Sequence, residues 1–260
     1  MLKIDQYAYT SSLRHVHPGE KFAFAMLTMS ICLAASSVLV PALVTGLTAA
    51  AIILGARVPA RFYFRLLLLP LGFLVAGLLA ITLTISREPD PAVYGFAIWG
   101  ITLGVTIPGL YHAALLFTKS LGAVSCLYFL SLTTPMVEII SVLRRLKVPA
   151  LIIELMGLVY RFIFVIMETA GSMYISQTSR CGYASLKTSF RSLAQLVSNL
   201  FVKSCYHSQA LFTALLARGY TGEIRMWEDP RPVSRKNLAL IALVDFILLV
   251  LVLVSWRWPV

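Results

Sequence analysis

Charge is scarce in this 260-residue chain: 13% of its residues are charged, against 59% hydrophobic. So few charges cannot cover a soluble domain of this length, which leaves a polytopic α-helical membrane protein. Acidic residues are scarcer still, 11 against 22 basic, for a net charge of +11. In a soluble protein that excess would suggest nucleic acid. Here it follows from the positive-inside rule, with the lipid bilayer's anionic headgroups as partner and no nucleic acid. The apolar segments run continuously rather than alternating, which excludes an outer-membrane barrel. The polar start, "MLKIDQYAYTSSLRHVHPGEK", has no apolar h-region, so no cleavable signal peptide is expected. The four cysteines, Cys32, Cys126, Cys181 and Cys205, lack metal-ligand spacing and read as core or interface residues. No G-x-x-x-x-G-K-[ST], HExxH or GxSxG is present, and His112 and His207 stand isolated. The chain therefore carries no nucleotide site, cofactor, metal or catalytic residue of its own. Nor does the span pattern repeat, which argues against a self-sufficient secondary transporter or channel.

What is present is hydrophobic length. The run "FAFAMLTMSICLAASSVLVPALVTGLTAAAIILG" after Lys21 suffices for two spans, with a turn around Ser36 to Pro41. Arg57, Arg61 and Arg65 then mark a cytoplasmic loop, and 66–85 is a third span. Between 92 and 132 the charge rule favours one span, at 110–132, with 92–107 tilted, re-entrant or lying at the outer interface. A last span covers 237–256, with Trp256 and Trp258 as an interfacial belt. The expected fold class is thus all-α and polytopic, with about five transmembrane helices.

The character changes between 135 and 236, where 13 basic residues face 6 acidic ones without a clean twenty-residue apolar run. Long amphipathic helices on the cytoplasmic side are expected here. In 186–215, Leu186, Phe190, Leu193, Val197, Leu200, Ser204, Ser208, Leu211 and Leu215 recur at helical steps. Lys187, Arg191, Gln195, Asn199 and Lys203 form the opposite face. Ser204 and Ser208 narrow the apolar stripe, which predicts a helix crossing beside them. The expected domains are a membrane bundle over 1–134, coupling helices over 135–236 and a C-terminal span over 237–260.

"ALLARGYTGE" closes the second of these helices. Gly219 suits a left-handed cap, and a cation in the last turn gains about 0.3–1 kcal/mol from the helix dipole. A near copy, "TSRCGY", closes the helix before it. Two arginines held at helix ends beside small residues, Arg180 after Ser179 and Arg218 after Ala217, suit two carboxylates on a partner. Two intramembrane charges, Lys119 and Asp245, either pair with each other, or each faces a different subunit or snorkels.

Three stretches resemble the transmembrane (T) component of energy-coupling-factor transporters, in the CbiQ-like branch associated with cobalt uptake. They are the opening "IDQYAYTSSLRHVHPGEK", the central "LTTPMVEIISVLRRLKVPALIIELMGLVYRF", and the Ala-Arg-Gly motif inside "ALLARGYTGE". The resemblance implies a non-catalytic coupling subunit of the plasma membrane, with the N-terminus and 135–236 cytoplasmic. Its partners would be two ATP-binding-cassette ATPase subunits and a substrate-binding (S) membrane subunit. By this resemblance Ala217, Arg218 and Gly219 form the second ATPase-docking motif, and Ser179 and Arg180, with glycine displaced to Gly182, form the first. Cobalt is the substrate implied, with nickel or a vitamin as alternatives. His15 and His17 are read as facing lipid headgroups rather than holding a metal.

Overall fold

The protein is described here by a computed structural model covering residues 3–86, 93–98, 101–220 and 231–257. In chain order it forms α1 (Lys3–Thr10), a 3-10 turn (Ser12–His15), α2 (Pro18–Ala34), and α3 (Leu39–Ala50) extended by a π turn (Ala51–Gly55). Next come α4 (Ala60–Thr82), β1 (Leu83–Ser86), β2 (Val93–Ile98), β3 (Ile101–Thr106) and α5 (Ile107–Thr133). The chain continues with α6 (Met136–Arg145), α7 (Ala150–Ser179), α8 (Leu186–Ala217) and α9 (Arg235–Arg257). The fold is the all-α, polytopic membrane architecture, with one local exception. Where the sequence suggested that 92–107 is tilted, re-entrant or lying at the outer interface, Val93–Ile98 and Ile101–Thr106 form two strands of a small antiparallel sheet ordered β1-β3-β2. Its register pairs Leu83 with Val105 and Gly95 with Gly104. A segment dense in Val, Ile, Thr, Tyr and Phe, and broken by glycines, suits strand better than helix.

Four described helices are long and apolar enough to cross a membrane: Ala60–Ala80, Gly109–Thr133, Ala150–Ser179 and Arg235–Ser255. Three coincide with expected spans. The expected first two correspond to α2 and to Leu39–Gly55, each 17 residues or about 26 Å at 1.5 Å per residue, the short end of spanning length. The fourth corrects the reading that 135–236 lacks a membrane-length apolar run: α7 contains one. Its few charges are spaced so widely that the surrounding basic composition hid it. Trp258 lies outside the described residues, as does the side chain of Trp256.

The chain divides into two compact units, one of Leu2–Ile139 with Pro230–Val260, the other centred on Ile140–Asp229. In the first, α5 packs against α1, α2, α3 and α4, and α9 packs against α2 and α3. Cys32, Val44, Ile52, Cys126 and Leu132 are fully buried there. Phe24 meets Phe129 edge-on at 5.2 Å. A polar seam ties three helices: the Ser125 hydroxyl lies 2.5 Å from Thr48 Oγ1 and 2.7 Å from Tyr63 Oη. Pro70 sits inside α4 and offers no N–H to the carbonyl of Leu66. Tyr128 on α5 supplies the missing donor, its hydroxyl reaching Leu66 O at 3.1 Å. His17, expected to face headgroups, is buried instead. Its Nδ1 accepts the Gly19 N–H at 3.0 Å and caps α2, while His15 is exposed.

In the second unit, among the described residues, the buried ones are Ile140 and Val142 of α6, Ile153 and Glu154 of α7 and Ser192 of α8. Leu151, Ile152, Leu155, Val159 and Ile163 on α7, and Phe190, Leu193, Val197 and Phe201 on α8, are exposed. Burial this sparse does not offset the entropy of ordering such long helices in water. This unit is shaped for covering by lipid or partners.

Candidate functional site

The sequence-predicted docking residues fall at two helix ends built alike. At the end of α7, Arg180 is the C-cap, the Cys181 N–H donates to Thr178 O at 3.1 Å, and the Gly182 N–H donates to Gln177 O at 2.8 Å. At the end of α8, Arg218 is the C-cap, the Gly219 N–H donates to Leu216 O at 3.0 Å, and the Tyr220 N–H donates to Leu215 O at 3.0 Å. This pair of crossed bonds is the Schellman closure, which needs a left-handed residue after the cap. Gly219 fills that place with φ +75, and Cys181 fills it with φ +55. The displaced glycine of the first motif therefore leaves the arginine's position unchanged.

Gly182 serves a different need. A Cβ there would lie 2.7 Å from Ser192 Oγ and 2.8 Å from Gln177 O, so the corner between the helices closes only around glycine. Ser192 Oγ donates to Gly182 O at 2.9 Å, and Gln177 Nε2 donates to Ser192 O at 2.9 Å. Tyr183 donates to Gln177 Oε1 at 2.8 Å, and its ring lies 4.9 Å from that of Tyr174. Beyond the corner, Ser185 and Thr188 cap α8 reciprocally. The sequence reading singled out neither Gln177 nor Ser192; both are generic polar residues whose spacing carries no motif.

The far ends of the helices meet as well. Tyr220, just after the second motif, donates to Glu154 Oε2 at 2.7 Å, close to the start of α7. That bond to an anionic acceptor, more than burial, raises the phenol's pKa above the ordinary tyrosine value. With the end of α7 joined to the start of α8 and the end of α8 joined to the start of α7, the two helices run antiparallel. The 26 helical steps from Ser192 to Arg218 span about 39 Å, so the two arginines stand roughly that far apart at opposite ends. Both are exposed, and neither pairs with a carboxylate among the described residues.

The cap geometry alone does not require arginine. The end of α6 makes the same closure, with Lys147 left-handed at φ +60 and Leu146 at the cap position. What Arg180 and Arg218 add is an exposed planar fork of donors, able to hold a carboxylate in two parallel hydrogen bonds. On α8, Ser204 is half-buried with its hydroxyl bonded to Leu200 O at 2.7 Å, and Ser208 is exposed. Away from these ends, Lys119 on α5 and Asp245 on α9 form no pair with each other. Asp245 is buried with both carboxylate oxygens unbonded. Among the described residues, no group of three His, Cys, Asp or Glu could hold a metal ion.

Comparison with known proteins is decisive at the level of family. A family model described as "CbiQ: Cobalt transport protein" matches residues 9–227, both arginine ends included. The chain belongs to the CbiQ family. It is 36% identical over 188 residues to the cobalt transport protein CbiQ of Rhodobacter capsulatus, covering 72% of each chain. It is 30% identical over 229 residues to the CbiQ of Salmonella typhimurium, covering 87% of this chain and all of that one. A third relative, the energy-coupling factor transporter transmembrane protein EcfT of Staphylococcus aureus, is 24% identical across 92% of this chain and 93% of its own length. This CbiQ-family chain is accordingly a multi-pass membrane transport component related to the transmembrane components of energy-coupling-factor transporters, as the opening, central and Ala-Arg-Gly stretches suggested.

Proposed function

We propose that the chain is the coupling subunit of an energy-coupling-factor importer for cobalt. Its α7–α8 pair passes the motions of two ATP-binding-cassette ATPase subunits to a substrate-binding membrane subunit. ATP hydrolysis then belongs to the ATPases and metal selection to the substrate-binding subunit. The observation that carries this reading is the pair of arginines, unpaired with any carboxylate among the described residues, each set at the same cap position, at opposite ends of two antiparallel helices. One guanidinium per ATPase, each taken by a carboxylate in a groove, lets a change in ATPase separation act on both ends at once. The exposed apolar faces of α7 and α8 are the surface on which the substrate-binding subunit and lipid would lie, and Ser204 and Ser208 give a helix crossing room. In this arrangement the N-terminus and the arginine ends are cytoplasmic.

Co-expression with candidate ATPase subunits tests the proposal. The wild-type chain should co-purify with them, and the Arg180→Ala, Arg218→Ala double variant should not. Cobalt transport in liposomes by the chain alone would overturn the coupling reading, and so would labelling of either arginine end from outside the cell.

A further inference from the structure

The bundle unit contains a charged cluster that the docking site does not use. Glu138, in the first turn of α6, is the last residue but one before the chain leaves this unit; Arg231 is the second residue after it returns. The two form an ion pair, Arg231 Nη2 to Glu138 Oε1 at 2.9 Å, each with 16% of its side chain exposed. Lys21, at the start of α2, joins from below: its Nζ lies 3.6 Å from Glu138 Oε2 and donates to Thr133 O at 2.9 Å. The Lys21 side chain is 3% exposed. Arg231 also donates through Nη1 to Arg14 O in the 3-10 turn. Next to this, buried Glu20 accepts from Ser234 N at 2.7 Å and from Asn237 Nδ2 at 3.1 Å, fixing the start of α9.

Burying Lys21 costs desolvation, which only a close carboxylate and a hydrogen bond offset. A cluster placed for stability alone has no need to sit where a 90-residue excursion, 140–229, departs and returns. We propose that Lys21, Glu138 and Arg231 are positioning residues for coupling: a clamp that binds both chain passages of the α7–α8 unit to each other and to α2. Force received at the arginine ends then moves the helix bundle instead of being lost in two separate, slack connections. This rests on the coupling function proposed above.

Arg231→Gln is the primary variant, because Arg231 lies outside every helix and its loss leaves each helix's own bonds intact. In proteoliposomes holding the chain with its ATPase and substrate-binding subunits, cobalt(II) is the probe. ATP hydrolysis should stay within about twofold of wild type, while cobalt imported per ATP falls by roughly tenfold or more. Glu138→Gln also takes the carboxylate from Lys21, so it should be impaired at least as much, and the double variant should be no worse than Glu138→Gln alone, since the ion pair with Arg231 is then already broken. The second measurement uses the chain alone in nanodiscs, so it stands even if no ATPase binds. Nitroxides at Leu69→Cys and Ser208→Cys, with Cys181 and Cys205 replaced by serine, report the distance between α4 and α8 by pulsed electron resonance. Arg231→Gln should broaden that distribution. An unchanged cobalt-to-ATP ratio or an unchanged distance distribution overturns the clamp. Failure of the wild-type chain to bind any ATPase overturns the coupling reading, and leaves the clamp to the distance measurement.

Discussion

α7 and α8 end in the same turn, yet one sets a glycine at the left-handed residue and the other a cysteine. A residue with a Cβ in that conformation costs about 1 kcal/mol relative to glycine, so the end of α7 is the more strained. It is also the better supported. Its cap continues into a corner built from Gln177, Gly182, Tyr183 and Ser192, whereas α8's cap leads into Tyr220 and a single bond to Glu154. Tertiary contact fixes one arginine and local backbone preference fixes the other. Two ends that present the same cation are therefore expected to respond differently to damage.

The largest effect should come from the cations themselves. Each Arg→Ala at 180 or 218 should weaken ATPase capture by about 10- to 100-fold, the worth of a charge-assisted hydrogen-bond pair, measured by co-purification or surface binding. Arg218→Lys should lose most of that as well, because an ammonium cannot make the bidentate contact. If lysine binds as tightly as arginine, the two-bond carboxylate picture is wrong. Next comes Gly182→Ala, which forces a methyl against the Gln177 carbonyl. It should loosen the α7 end by about 1–3 kcal/mol, seen as faster amide exchange around 177–183, with the α8 end untouched. Glycine exchange at the left-handed residues sharpens the contrast. Gly219→Ala should fray the last turn of α8 by about 1 kcal/mol, and Cys181→Gly should firm the end of α7 by a similar amount. Equal responses at both ends would erase the distinction. The smallest effect concerns Tyr220. Its neutral phenol is the donor, so the bond to Glu154 survives through neutral pH and is lost only as pH rises past the phenol's raised pKa. Glu154→Gln should bring that ionisation back toward the ordinary tyrosine range in an ultraviolet titration.

Continuous apolar runs made α4, α5 and α9 legible from the sequence, because a bilayer demands length before anything else. The second arginine end was equally plain, since Arg218–Gly219 is a local signal that needs no tertiary knowledge. The first was not. Cys181 takes the left-handed turn after Arg180, while the glycine stands one place later because Ser192, ten residues beyond it, leaves no room for a Cβ. Strands β2 and β3 were missed because apolar length was weighed and β-branching was not. Lys119 and Asp245 share depth in the sequence but not a contact, for hydrophobic position fixes a residue's height in a bundle and says little about its azimuth.

The proline inside α4 has a bearing on how the protein is made. Until Tyr128 arrives, the Leu66 carbonyl has no donor, and hydrocarbon offers it none, at a cost of several kcal/mol. A solitary α4 is thus an unfinished object in the bilayer, completed only by a helix that is synthesised later. Assembly is thereby tied to chain order: the bond that completes the fourth helix is supplied by the fifth, which is made after it.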